Sequence, residues 1–270
     1  MNAPENIFSS RNPLPDVQSH ADHRQLAIQR VGVKSLVHPV TVQTAKGPQP
    51  SVATVDMTVA LPPEVKGTHM SRFLEVFQAH HEPLSFHSVQ ALMDTMLARL
   101  ESDQGYIKIA LPYFVRKAAP VSGVESLMDY QATLECEVRQ HQRLTTITVV
   151  VPVTSLCPCS KKISEYGAHN QRSHVTIAAQ VNGPIEIEEL IRIAEQAASC
   201  ELWGLLKRPD EKYVTERAYD NPKFVEDLVR DIALALAQDR RIRGYSVESE
   251  NFESIHNHSA YAMIDHLQRS

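Results

Sequence analysis

The strongest constraint on the fold of this chain is the order in which two hydrophobic periods alternate along it. Residues 30–42 read as a strand, and after Lys46-Gly47-Pro48 a second strand alternates cleanly. Val55, Met57, Val59 and Leu61 stand on one side of it, against Thr54, Asp56, Thr58 and Ala60. The pair reads as a hairpin. The period then becomes helical. Met70, Phe73, Leu74 and Phe77 share a face over 69–79, and Val89, Leu92, Met93, Met96, Leu97 and Leu100 keep i, i+3, i+4, i+7 spacing over 87–101. Alternation returns after Gly105 through Ile107, Ile109 and Leu111, and again over 129–138. This half is ββααββ.

The second half repeats the order without repeating the residues. Strands are expected near 143–155 and 173–183, and Pro184 opens a helix with Ile187, Leu190, Ile191, Ala194 and Ala197 inward. A polar segment over 207–219 leads to Asn221-Pro222, a cap with proline at the first helical position, and a helix to about Gln238. Two strands near 242–252 and 255–265 close the chain. Long strands in hairpins with helices inserted in pairs predict an α+β fold of antiparallel sheet covered on one face by helices. We divide the chain into a polar tail or arm (1–25), a first module (26–140) and a second (141–270).

Composition excludes several classes of function. A net charge of −5 gives no general attraction to nucleic acid or anionic membrane. No apolar run approaches the roughly 20 residues that span a bilayer, and the N-terminus lacks a signal-peptide layout. Four cysteines in 270 residues are no disulfide scaffold, which points to a reducing cytoplasm. The nine glycines form neither GxGxxG nor GxxxxGK[ST], so a phosphorylated ligand would be held by Lys and Arg side chains.

Chemistry-bearing residues concentrate in 151–177, where a strand runs into Cys157-Pro158-Cys159, a polar loop and His169. Two thiols and an imidazole at a strand end suit a metal or nucleophile site. The alternative is that both cysteines merely pack there and His169 is exposed. Cys136, on an apolar strand face, and Cys200, at helical spacing from Ile193 and Ala197, read as small buried hydrophobes. His256 and His258 share a face if the last segment is extended, with Glu253 near enough to orient one of them. Arg72, Lys161, Lys162 and Arg172 flank these motifs as candidates for a triphosphate, or as a solvated charged face.

Four separated stretches resemble the type IB GTP cyclohydrolases, a prokaryotic family of the tunnelling fold (T-fold). They are Lys66-Gly67-Thr68-His69-Met70-Ser71-Arg72-Phe73, Ser155-Leu156-Cys157-Pro158-Cys159-Ser160-Lys161, Ala168-His169-Asn170-Gln171-Arg172 and Glu253-Ser254-Ile255-His256-Asn257-His258-Ser259-Ala260. The resemblance covers nearly everything beyond the tail. It implies tandem ββααββ modules whose sheets close into barrels between subunits, in a homotetramer with active sites at the interfaces. It implies conversion of GTP and water to 7,8-dihydroneopterin triphosphate and formate, the first step of folate-type pterin synthesis and a source for deazapurines.

By the same resemblance the metal ligands are Cys157, His169 and Glu211, with Glu216 as the alternative third ligand. The set is a mixed S/N/O one that admits Mn²⁺, Fe²⁺ or Zn²⁺. The metal would activate water to attack C8 of guanine, with no nucleotide cofactor. Cys159 would neighbour or tune the metal, and Glu253 with His256 would shuttle protons. Glu226 would accept both guanine N–H groups, unless it is only a solvated helix residue. Two other readings stay open. One is a T-fold nitrile reductase using a cysteine nucleophile and NADPH without metal; the other is a non-catalytic Cys-x-Cys redox module.

Overall fold

The computed structural model describes Gln18 and residues 20–268. Most of the expected tail lies outside them. The described part runs along the chain's own surface: Ala21 bridges Val65, and the Lys66 N–H donates to the His20 carbonyl.

Two strands, β1 (Ile28–Thr44) and β2 (Gly47–Leu61), are followed by helices α1 (Met70–Ala79) and α2 (Phe86–Leu100). Then come β3 (Gly105–Ala118), β4 (Glu125–Arg139), β5 (Gln142–Leu156), the short α3 (Pro158–Ile163) and β6 (Asn170–Val181). Helices α4 (Ile187–Ala197), α5 (Arg208–Asp220) and α6 (Val225–Gln238) precede β7 (Ile242–Asn251) and β8 (Ala260–Asp265). The eight strands form one antiparallel sheet in chain order. β4 and β5 join at Gln140–His141, a two-residue turn with both φ positive (49° and 63°), which pairs Arg139 with Gln142.

Helices cover one face. α2 lies over β3 and β4, α4 over β5 and β6, and α6 over β7 and β8. Alternation sends Ile107, Ile109, Leu134, Ile147, Val149 and Ile177 into this layer, each at most 2% exposed. Among the described residues no helix is long and apolar enough to cross a membrane.

Several boundaries differ from expectation: α4 begins at Ile187 and not at Pro184, and the polar loop after Cys157 opens with the short helix α3. The polar segment 207–219 is helix α5, which buries only Asp210 and Ala218 and so carries no apolar stripe to announce it. Pro209 in its first turn and the Lys207–Asp210 capping box start it. Asn221 therefore closes α5 instead of opening the next helix, and α6 begins at Val225. The last strand starts at Ala260, not 255, which leaves 252–259 as a connection.

β4 and β5 pair only as far as Gln131 and Val150. Beyond that point the segment 198–207 wedges between them: Thr154 bridges Cys200, and the Trp203 indole N–H donates to the Ala118 carbonyl. Gly204 passes so close to the Leu127 carbonyl that a Cβ would lie 2.5 Å from it. Lys117 pins the wedge, donating to Glu195 and to the Leu202 carbonyl at 2.8 Å each and pairing with Glu201 at 2.5 Å.

Candidate active site

One end of the sheet gathers the β5–β6 connection (157–169), the β7–β8 connection (252–259) and the start of α6. Cys157 caps α3 with Pro158 at its first position, and Sγ accepts the Ser160 N–H at 3.5 Å. The Cys157 N–H donates to the His169 carbonyl at 3.2 Å, carrying the β5–β6 ladder one step beyond Leu156 and Asn170. Cysteine and histidine are thus brought together by strand register.

His169 Nδ1 lies 3.1 Å from Gln171 Oε1 and 3.3 Å from Ser254 Oγ, and Gln171 donates to Glu253 at 3.5 Å. With Nδ1–H given to Gln171, Nε2 presents its lone pair, the tautomer required of a metal ligand or a base. Gln171 and Ser254 escaped the sequence reading. Alternation places Gln171 on the Ser173 face of β6, a signal that was available; Ser254 lies in the stretch from Glu253 to Ala260 that carries the resemblance, with no period to single it out. Glu253 touches Gln171, while the connection holding His256 and His258 is not extended. Their rings nonetheless stack, with centroids 5.2 Å apart and planes 14° from parallel.

Glu211 sits exposed in the first turn of α5. It belongs to the row Glu211, Val214, Ala218 (i, i+3, i+7), whose last two members pack with Leu156 and Ala168, the neighbour of His169. Glu216 projects about 140° away around the helix and pairs with Lys212 at 2.6 Å. Among the described residues no three His, Cys, Asp or Glu side chains lie close enough to share a metal ion. Cys157 and His169 meet; Glu211 stands apart from them.

Asp210, beside Glu211, is fully buried. It accepts the Val121, Ser122 and Lys207 N–H groups at 2.8 Å and the Ser122 hydroxyl at 2.6 Å. Burial alone would raise its carboxyl, but these donors outweigh it and hold it well below the usual carboxylate range. α5 is thereby fixed to the β3–β4 turn.

Glu226 lies exposed in the first turn of α6, where the helix N-terminus favours a carboxylate. The Lys223 N–H donates to the Leu156 carbonyl at 3.1 Å and ties this helix start to the end of β5. Lys161 is engaged with Tyr219, donating to its carbonyl at 2.5 Å and lying over its ring. Cys159, Lys162 and Arg172 are exposed around the same end. Arg72 is elsewhere. It lines a cavity of about 280 Å³ with Leu61, Gly67 and Leu100, beyond the end where β5 begins. Along β5, from Gln142 to Cys157, that is roughly 50 Å at about 3.3 Å per residue. Cys136 and Cys200 are fully buried, and burial pushes the Cys136 thiol up to about 11 and raises that of Cys200.

The chain is similar in fold to the uricase from Arthrobacter globiformis, with a TM-score of 0.52 over 90% of this chain and 95% of that one. At 8% identity this likeness concerns the fold alone and places the chain in the T-fold class. A family model described as "Type I GTP cyclohydrolase folE2" matches residues 14–262. The chain is 63% identical over 266 residues to GTP cyclohydrolase FolE2 1 of Dechloromonas aromatica, covering 98% of both chains. It is 59% identical over 256 residues to GTP cyclohydrolase FolE2 2 of Cupriavidus metallidurans, covering 95% of this chain and 96% of that one. The chain belongs to the type I GTP cyclohydrolase folE2 family.

Proposed function

We propose that this chain is a GTP cyclohydrolase that converts GTP and water to 7,8-dihydroneopterin triphosphate and formate at the start of folate-type pterin synthesis. Its near-full-length identity of 59–63% to two FolE2 proteins carries this reading. The meeting of Cys157, His169, Gln171 and Glu253 at one sheet end supplies it with chemistry.

The site takes one divalent ion (Mn²⁺, Fe²⁺ or Zn²⁺) on Cys157, His169 and Glu211. The lone pair presented by His169, and the place of Glu211 on the helix row whose Val214 and Ala218 pack with Leu156 and Ala168, support this set over one with Glu216. Bound there, the ion supplies Lewis-acid activation of water. The protein does the rest. Gln171 holds the His169 tautomer, and Glu226 accepts the guanine N–H pair. Glu253 and the stacked His256 and His258 move protons during ring opening, loss of formate and ring closure. Exposed Cys159 borders the ion site, and Lys161, Lys162 and Arg172 take the triphosphate.

Arg72 supports a shared site. Roughly 50 Å from Cys157 along the strands, it serves a centre of this kind only in another subunit. This fits a homotetramer in which sheets, each of two ββααββ modules, close into barrels. Free thiols at Cys157 and Cys159 suit a reducing cytoplasm.

The test is metal-dependent turnover of GTP after chelation and single add-back of Mn²⁺, Fe²⁺ or Zn²⁺, read as oxidised pterin fluorescence. Turnover should require metal, vanish in Cys157→Ala and persist in Cys136→Ala. A folded oligomer that no metal restores would sink the reading and direct attention to nitrile reduction.

A further inference from the structure

On the helix-covered face of β5, β6 and β7, an aliphatic row leads up to the end that carries the site. Val151, Val153, Val175, Ile177 and Val247 are fully buried. The next inward positions are Ser155, Ser173, Ser249 and Asn251, none more than 4% exposed. The Ser173 hydroxyl donates to Ser155 Oγ at 2.8 Å, and the Ser249 hydroxyl to Asn251 Oδ1 at 3.2 Å. Register sets them in neighbouring rows: Ser173 faces Asn251, which faces Ala260 on β8, while Ser155, opposite Gln171, lies diagonally across from Ser173 and Ser249 lies one row further in. Behind them the buried Ser199 hydroxyl accepts the Leu156 N–H at 3.1 Å.

Three of the four stand two residues along the chain from a site residue. Ser155 precedes Cys157, Ser173 follows Gln171, and Asn251 precedes Glu253. Burying a hydroxyl costs free energy unless it is bonded, whereas replacing both partners of a bonded pair by apolar groups of similar shape is close to neutral. Stability therefore gives no reason for serines where the adjoining inward positions, Val151, Val153, Val175, Ile177 and Val247, are valine or isoleucine. We infer that Ser155 and Ser173, with Asn251, are positioning residues for the reaction. Their layer locks the lateral alignment of three strand ends so that Cys157, His169 with Gln171, and Glu253 converge.

A generic core layer behaves differently from a positioning layer, and the difference can be measured. The kinetic arm rests on the cyclohydrolase reading; the exchange arm does not. Ser155→Ala/Ser173→Ala is compared with wild type and with Cys136→Ala, a buried change far from the site. The pair should keep its thermal midpoint within about 3 °C and lose kcat by about 10–100-fold, with KM little changed. Amide hydrogen exchange should quicken only in peptides covering 156–158, 169–171 and 251–254. Unchanged kcat and exchange would overturn the inference. So would a lowered midpoint with faster exchange along the whole sheet, since that is ordinary core damage. Should the pair not fold, Ser173→Ala alone carries the same comparison. If wild type does not turn over GTP, the cyclohydrolase reading fails, and the exchange pattern still decides this one.

Discussion

The two central hairpins are built alike and end differently. β3–β4 and β5–β6 both run long, pair in continuous register and send an aliphatic row under the helices. β3–β4 keeps apolar bulk towards its tip, with buried Tyr113, Tyr130 and Ala119, and closes in a short turn around Gly123. That turn is a dock: its Val121 and Ser122 N–H groups hold Asp210 and so the start of α5. β5–β6 gives up bulk for serines at its tip and opens into 157–169. The lesson is that a strand pair with a short turn is finished as structure. One whose tip is polar and long has exchanged packing for chemistry, and the neighbouring hairpin supplies the rigidity.

Changes on the docking side should alter stability more than the form of catalysis. The largest effect belongs to Lys117→Met, which leaves Glu195 and Glu201 facing each other in the wedge without their cation. Lys117 and Glu195 are only 9% and 12% exposed, and burial already raises the Glu195 carboxyl. Removing the cation should cost about 3–5 kcal/mol, read as a lower denaturant midpoint at unchanged slope; a cost under 1 kcal/mol would refute the clamp.

Asp210→Asn comes next. Because the folded carboxyl is depressed, its stabilisation is complete above the ordinary carboxylate value of 3.8 and is lost as pH falls through the folded value. The Asn variant should be less stable at neutral pH and show a flatter stability–pH curve in acid. A parallel curve would remove Asp210 from the docking account.

Gly123, at φ +68° with open space around its Cβ position, isolates the turn itself. Gly123→Ala should cost about 1 kcal/mol through backbone strain alone, with kcat untouched. The smallest effect belongs to Glu216→Gln. Losing an exposed i, i+4 pair with Lys212 should change stability by about 0.3–0.5 kcal/mol and leave metal affinity unaltered. Glu211→Gln should weaken metal binding in the same titration, and equal affinities in the two variants would undo the choice between them.

Much of this contrast was legible in the chain. Period-2 alternation located the strands of both hairpins, because one buried face writes itself into every second residue. The i, i+3, i+4 stripes located α1, α2, α4 and α6 for the same reason. What failed was α5, whose helix rests on caps and on Asp210 reaching a turn 88 residues away; no local stripe records that. Of the site, Cys157 and His169 were visible as types and brought together by register. The wedge at 198–207, the partner of Lys161 and the distance to Arg72 depend on tertiary placement, which a periodicity cannot carry.

The sheet order β1 to β8 repeats the order of the chain. Each strand therefore finds its partner in the segment made just before it, and only two pairings close over long insertions, 62–104 and 182–241. Loop-closure entropy grows slowly with length, so neither closure is prohibitive. The chain can assemble as it is synthesised, hairpin by hairpin, with β5 and β6 already paired before the helices that roof them exist.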